Sequence, residues 1–385
     1  MSESALKSSV QEFFISKFNT TPRLFFSPGR INFIGEHVDY NDGFVMPAAI
    51  DKGIVFAIAP NNSNMLRIHS IDMNDYYEVA LDKIEKHPGW QNYVLGVIDQ
   101  FQQSGLPVNG MDVAFGGDLP TGAGLSSSAA VECGLAFGIS TIFNIPMPRV
   151  QVALLGQKAE HTFPGVQCGI MDQFANMMGK KGHVLLLDCN SLNYQALPLQ
   201  LDNYVIMLVN SKVHHSLASG EYNVRRKQCE EGWSILQKHY LHAKTFRDIS
   251  PDQVKQLEDH FDADVYRRCL YVTEEIQRTQ IAAELLKQNK LQEFGQLMFA
   301  THWGLSRLYD VSCPELDYLV TEATKYPQIL GSRLMGGGFG GCTINIVEKD
   351  SAAQIADEIK ANYKKAFNID TEVYIMQTED GTHEI

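Results

Sequence analysis

The sequence predicts an α+β protein of two domains, and three observations carry that prediction. Strand-like and helix-like stretches fall into segregated runs. Short apolar alternations fill residues 24–26, 45–50 and 54–81, whereas residues 129–143 and 251–300 carry helical apolar spacing. The chain has 385 residues, enough to bury two or three domains' worth of core. A polar segment from Asn190 to Asn203 separates strand-like His183–Asp188 from Tyr204–Asn210, which places a boundary near residue 200 and gives domains 1–200 and 201–385.

Composition narrows the function classes. Hydrophobic residues make up 44% and charged residues 20%, as in an ordinary globular protein. The net charge of −13 comes with no basic stripe, so a nucleic-acid partner and an anionic membrane surface are both disfavoured. No stretch approaches the roughly 18 uninterrupted apolar residues of a spanning helix. Met1-Ser2-Glu3-Ser4-Ala5 shows no signal-peptide pattern. The seven cysteines are scattered with no C-x-x-C pair, which reads as reduced thiols in a cytoplasmic protein rather than a disulfide framework or a structural zinc site.

Residues 6–18 read as a peripheral amphipathic helix on Leu6, Val10, Phe13, Phe14 and Phe18. Next, strand-like Leu24-Phe25-Phe26 leads into a polar loop, Pro28 to Gly43. There Arg30, Asn32, Glu36, His37, Asp39 and Asn41 alternate with apolar Ile31, Phe33 and Ile34. A solvated turn explains the polar residues but not the apolar anchors. Carboxylates and imidazoles held between buried anchors suit a polyhydroxy ligand, whose vicinal hydroxyls they can engage in pairs. Residues 53–81 read as a β-meander of short strands. Trp90 opens a helix through Phe101 and reads as a core residue or as part of a ligand pocket.

The most informative stretch is Gly117 to Ala130. A strand alternation (Met111, Val113, Phe115) runs in, and an apolar helix from Ala129 to Phe143 runs out. Between them, Gly122, Ala123, Gly124, Leu125, Ser126, Ser127 and Ser128 form a glycine- and serine-rich turn. Such a turn aims unpaired N–H groups and the helix dipole at one spot, a phosphate site in waiting. Three serines exceed what one helix cap needs, leaving hydroxyls for phosphate or a metal, although a plain capped turn fits the same letters. The stretch is not a Walker loop, which requires Gly-Lys-Ser/Thr.

Glu160 ends the helix that starts at Pro148 and reads alone as a solvated side chain. Asp172 follows a glycine turn in Cys168-Gly169-Ile170-Met171-Asp172-Gln173, where the helix dipole by itself favours a carboxylate. Lys212 to Gly220, with His214-His215, reads as a mobile loop before the helix of Glu221, Tyr222 and Asn223. Residues 251–300 read as helical throughout. Gly336 to Gly341 reads as a tight turn or as a close backbone approach to substrate. The tail from Gln377 to Ile385 is expected to be disordered.

Three of these stretches, in this order, resemble the galactokinase family of the GHMP kinase superfamily. They are the loop at 28–43, the Pro-x-x-x-Gly-Leu-Ser-Ser-Ser-Ala loop at 120–129, and Met335-Gly336-Gly337-Gly338-Phe339-Gly340-Gly341-Cys342. The Glu221-Tyr222-Asn223 helix start is similar to galactokinases in particular. The resemblance implies an N-terminal domain like the second domain of ribosomal protein S5, a ferredoxin-like C-terminal domain, and an active site between them. It implies ATP-dependent phosphorylation of galactose at its anomeric hydroxyl, with Mg²⁺ as cofactor and galactose and ATP as the molecules bound, by a monomer. It assigns Asp172 as base with Arg30 as its partner, and Glu36, His37, Val38, Asp39, Gly169 and Tyr222 to the sugar. It assigns residues 122–128 to ATP, and Ser128 with Glu160 to the metal. In the family the Trp90 position lies near the adenine. Kinases of N-acetylgalactosamine, galacturonate or arabinose share the motifs, and non-catalytic galactose sensors carry a shortened nucleotide loop that this chain does not have. At Thr301 to Tyr309 the sequence departs from the family pattern: Gly304 stands where serine is usual and Ser306-Arg307 where Arg-Asp is usual, which puts the packing of that helix in question.

Overall fold

The computed structural model describes residues 3–120, 122–213 and 218–385. Thr121 and His214-His215 lie outside them, so the expected loop around the two histidines is not placed. Helix α1 (Glu3–Phe18) precedes β1 (Arg23–Asn32), β2 (Phe44–Val45), β3 (Pro47–Pro60), β4 (Met65–Ser70) and β5 (Asp75–Ala80). Then come α2 (Gln91–Gln103), β6 (Met111–Gly117), α3 (Ser127–Ile142), α4 (Arg149–Thr162), α5 (Met171–Met178), β7 (His183–Asp188) and β8 (Tyr194–Pro198). The second half holds β9 (Tyr204–Asn210), α6 (Ala218–His239), α7 (Pro251–Lys255), α8 (Ala263–Lys287), α9 (Leu291–Gly304) and α10 (Pro314–Ala323). It closes with β10 (Ile329–Leu334), β11 (Cys342–Glu348), α11 (Ala352–Phe367), β12 (Glu372–Met376) and β13 (His383–Glu384).

Among the described residues the strands form three sheets, ordered β13-β1-β3-β6-β4-β5, β10-β11-β9-β12 and β2-β7-β8. In the first, the period-two alternation sorts side chains between two layers. Leu24, Phe26, Val55 and Ala57 pack on α1, while Phe25, Phe56 and Ile58 face α2, α3 and α4. In the second, Met207 and Val209 face α10 and α11, whereas Ile206 and Leu208 join a cluster with Phe294 and Met298 of α9. That last cluster also contains Ile31, Phe33, Ile34, Ala123 and Leu125. The apolar anchors of the polar loop and of the glycine-serine loop are therefore buried in one core shared by both halves.

Several expectations are corrected. The loop expected from Pro28 is strand as far as Asn32, with a bulge between Pro28 and Arg30 that accommodates the proline's missing donor. Residues 53–81 are not a meander. Strand β6, buried along nearly its whole length, sits between β3 and the half-buried β4 and pairs with β4 in parallel. The run 251–300 is broken at Phe261-Asp262 and at Gln288–Lys290, where Asn289 takes a left-handed φ of 55°. The tail is ordered: β13 pairs with β1, Ile385 N donates to Leu24 O at 3.0 Å, and Thr382 is fully buried against Asn176. An otherwise open edge of β1 explains why the tail is held. The sheets change over between Pro198 and Tyr204, and the tail returns from the second half to add β13 to the first sheet.

Candidate active site

The site is built where the shared core brings three glycine-bearing stretches together. Gly124 and Gly336 hold φ values of +72° and +83°, and a Cβ on Gly124 would come within 3.2 Å of Met335 O. The backbone of the glycine-serine loop thus rests directly on the start of the 336–341 turn. Ser126 stands at φ +58° as the residue before α3. Its side chain makes no cap bond; instead its hydroxyl donates to Asp172 Oδ2. The serine reading as a simple cap therefore fails, because the hydroxyl is spent on the carboxylate.

A cleft opens beside this junction. Arg30, Glu36, His37 and Asp39 line it from the first motif, Glu160, Gly169 and Asp172 from the α4–α5 region, and Tyr222 from α6. Gly336 and Gly337 close one side. Val38 is not on this wall: its side chain is fully buried in an apolar cluster that draws on both halves of the chain. The loop 122–128 flanks the cleft through Gly124 and Ser126 contacts, and Ala123 and Leu125 turn into the shared core. Trp90 packs edge-on to Phe115 with its indole N–H donating to Asp75 at 2.8 Å, a core anchor at the edge of the first sheet.

Arg30 and Asp172 form a fork. Arg30 Nε donates to Asp172 Oδ1 at 2.8 Å and Nη2 to Oδ2 at 3.1 Å, while Nη1 donates to Gly124 O. Such a two-bond pair fixes direction as well as charge. The arginine is buried and the carboxylate is one quarter exposed toward the cleft.

His37 is neutral. Burial pulls its pKa down to about 4, reinforced by Arg225 and Arg333 against the opposing pull of Glu36 and Gly337. Its Nε2 lies 3.2 Å from Gly337 O, which can only accept, so Nε2 carries the proton. Nδ1 then accepts from Tyr40 Oη at 2.8 Å, and Tyr40 accepts from Tyr309 Oη at 2.8 Å. Both ring nitrogens are therefore used within the protein, and His37 presents its ring rather than a free donor. Tyr222 stacks obliquely on it at 5.4 Å, and its hydroxyl makes no hydrogen bond to the described residues.

The departure from pattern at 301–309 now has a shape. Helix α9 ends at Gly304 and continues as a π-helical turn over Leu305–Tyr309. A Cβ at Gly304 would sit 2.9 Å from the Tyr271 ring, so glycine allows close packing there. The turn delivers Tyr309 to the Tyr40–His37 chain, in keeping with π turns being used where a side chain must be re-aimed.

Acidic groups outnumber cations on the cleft floor. Burial, then Asp172, pushes Glu160 up to about 7, and burial, then Glu160, pushes the adjacent Glu132 well above the usual carboxylate range. Gln173 Nε2 bridges them, at 2.8 Å from Glu160 and 3.2 Å from Glu132, and the nearby Ser128 hydroxyl opposes the rise at Glu160. Hard oxygen donors short of positive charge suit a divalent cation such as Mg²⁺. Among the described residues no three His, Cys, Asp or Glu form a complete ligand set.

Asp39 is pushed up to about 7 by burial first and then by Asp172 and Glu36. Below that pH it carries a proton; above it, the carboxylate is a charged acceptor on the cleft wall. Binding of galactose, the ligand that the sequence resemblance implies, should therefore tighten as pH rises from 6 to 8 when measured without nucleotide, while His37 stays neutral throughout. A titration by calorimetry that is flat over this interval would uncouple Asp39 from the sugar.

Residues 92–180 match the N-terminal domain of the GHMP kinases and residues 282–365 their C-terminal domain, which makes the fold and loop those of a GHMP kinase. Residues 12–60 match the galactokinase galactose-binding signature. Galactokinase from Thermotoga petrophila is 39% identical over 359 residues, covering 93% of this chain and 99% of the relative. The Clostridium perfringens galactokinase is 38% identical, covering 97% and 98%. The crystal structure of Lactococcus lactis galactokinase complexed with galactose superposes with a TM-score of 0.94 at 32% identity, covering 98% of this chain and 99% of that one. Methanococcus jannaschii mevalonate kinase shares the fold alone, at a TM-score of 0.65 and 18% identity over 94% of this chain and 99% of that one. This chain belongs to the galactokinase family.

The motifs pointed to the residues of the cleft but missed Arg333, Tyr40, Tyr309 and Glu132. Tyr40 lies inside the first motif and Tyr309 at the end of the atypical 301–309 stretch, whereas Glu132 lies in the apolar helix after the nucleotide loop, where a charge in an apolar run was the available signal. Arg333 carried none.

Proposed function

We propose that this protein transfers the γ-phosphoryl group of ATP to the anomeric hydroxyl of α-D-galactose, giving galactose 1-phosphate and ADP. The single observation that carries the reading is the Arg30–Asp172 fork, set between the sugar loop and the nucleotide loop and open to the cleft. Phosphoryl transfer needs alignment and charge neutralisation more than covalent chemistry. Glu36 and Asp39 accept hydrogen bonds from sugar hydroxyls, and Tyr222 donates its free hydroxyl. Gly169 leaves room for Asp39. Asp172 takes or orients the anomeric proton, and Arg30 holds it and faces the charge that develops on the phosphoryl group. The N–H groups of residues 122–128 and the α3 dipole bind the phosphates.

Ser128 and Glu160 would hold Mg²⁺, which would supply positive charge to offset that of the nucleotide phosphates. The deficit of positive charge at Glu160 and Glu132 supports that assignment. One chain supplies every wall of the cleft, so the reading needs no partner subunit. All seven cysteines are free, which supports a cytoplasmic location, and no helix among the described residues is long and apolar enough to cross a membrane.

The test is ADP release with MgATP across galactose, N-acetylgalactosamine, galacturonate, arabinose and glucose. Turnover should favour galactose strongly and stop when the divalent cation is chelated. Binding of galactose with no turnover of any sugar would replace the enzyme by a sensor. Preference for another of the five would redirect the substrate, and turnover that survives chelation would remove the metal.

A further inference from the structure

Glu36 faces the cleft with only half of its carboxylate. Its Oε2 accepts from Arg333 Nη2 and, at 3.0 Å, from the backbone N–H of Gly336. Oε1 makes no hydrogen bond to the described residues, and Glu36 lines the cleft, so Oε1 is the atom left for a ligand. Arg333 is fully buried in β10 and donates in addition to Asn32 O at 2.8 Å. Its Nε and Nη1 have no hydrogen-bond partner among the described residues, and Glu36 is its only acidic partner among them. A buried guanidinium satisfied on one edge alone is not optimised as a structural cross-link. Its geometry instead fixes one oxygen of Glu36 and frees the other.

We propose that Arg333 is a positioning residue for sugar recognition: by pinning Oε2 of Glu36 it presents Oε1 to one particular hydroxyl of the sugar. The inference rests on the galactose-phosphorylating reading above. Arg333 belongs to the second sheet and Glu36 to the first motif, 297 residues away, so discrimination among sugars is set across the two halves of the protein. Arg333 also lies two residues before Met335, whose carbonyl would stand 3.2 Å from a Cβ at Gly124, so the chain that aims Glu36 runs on to the nucleotide loop.

The experiment measures kcat/KM for galactose and for its 2-, 3-, 4- and 6-deoxy analogues in wild type, Glu36→Gln, Arg333→Lys and the double variant Glu36→Gln/Arg333→Met. Each analogue yields a discrimination ratio, kcat/KM for galactose divided by kcat/KM for the analogue. One ratio should collapse by about tenfold or more in Glu36→Gln, as expected for losing a hydrogen bond to a charged group. Arg333→Lys should collapse that same ratio and leave the other three within twofold, with the KM for MgATP unchanged. The double variant should match Glu36→Gln, because Arg333 acts only through Glu36. It removes both charges of the pair, so it remains readable if Arg333→Lys fails to fold. A uniform loss across all sugars, a further loss in the double variant, or four unchanged ratios in Glu36→Gln would each overturn the inference. Absence of galactose turnover in wild type would instead refute the underlying reading, so the two failures are distinct.

Discussion

Replacing Asp172 by alanine is expected to lower turnover by about 10²–10⁴-fold, the usual worth of a positioned proton acceptor, while galactose still binds. Asp172 receives both arms of the Arg30 fork and the Ser126 hydroxyl, yet remains partly exposed to the cleft. Its binding neighbours Glu36 and Asp39 are held by other partners, the first by Arg333 and the second by the backbone N–H of Tyr40, so their placement does not depend on it. The alanine leaves the buried Arg30 without its acidic partner and is expected to lower the melting temperature as well. Asp172→Asn keeps the shape and the Ser126 contact and isolates the chemistry. Single-turnover ADP formation, paired with calorimetry for galactose, separates the two effects. Turnover within tenfold of wild type in both variants would assign Asp172 a structural role. In a loose, metaphosphate-like transition state little general base is needed, and alignment by Arg30 would then carry the reaction.

The legible part of this site was the part written locally. Glycines at 124 and 336 and the serines after Leu125 announce backbone geometry within a few residues, and Arg30, Glu36, Asp39 and Asp172 announce chemistry by type. The partners that aim these groups are not local. Arg333 sits in a strand of ordinary appearance and reaches Glu36 only through tertiary packing. Tyr309 reaches Tyr40 through a π turn that no apolar period encodes. The same distinction separates the fold expectations. Individual strands and helices follow apolar periodicity, but the parallel pairing of β4 with β6 and the return of the tail to β1 depend on which edges are left open. The interleaved Ile31, Phe33 and Ile34 were read correctly as buried anchors. That they lie in a core shared with the second sheet follows only from the assembled structure.

Gly169→Ala is expected to raise the galactose KM by about 10–100-fold, the size of one or two hydrogen bonds to a charged group, without changing the KM for MgATP. A Cβ at this position would stand 2.0 Å from Asp39 Oδ2, 2.2 Å from its Cγ and 2.9 Å from its Cβ. The collision involves the whole short side chain, so rotation of the carboxylate tip cannot relieve it. Gly169 is not among the glycines with left-handed φ, and alanine therefore adds no backbone strain there. The consequence is confined to Asp39, which must leave the cleft, or to the 168–170 turn, which must retreat from it. Both movements open the sugar side and leave the junction of Gly124 with Met335 intact. Thermal melting close to wild type, with the rise in KM restricted to galactose, would support that reading. An unchanged galactose KM would mean that Asp39 does not contact the sugar. A parallel loss of MgATP affinity would mean that the α4–α5 turn, not the Asp39 side chain alone, sets the distance between the two substrates.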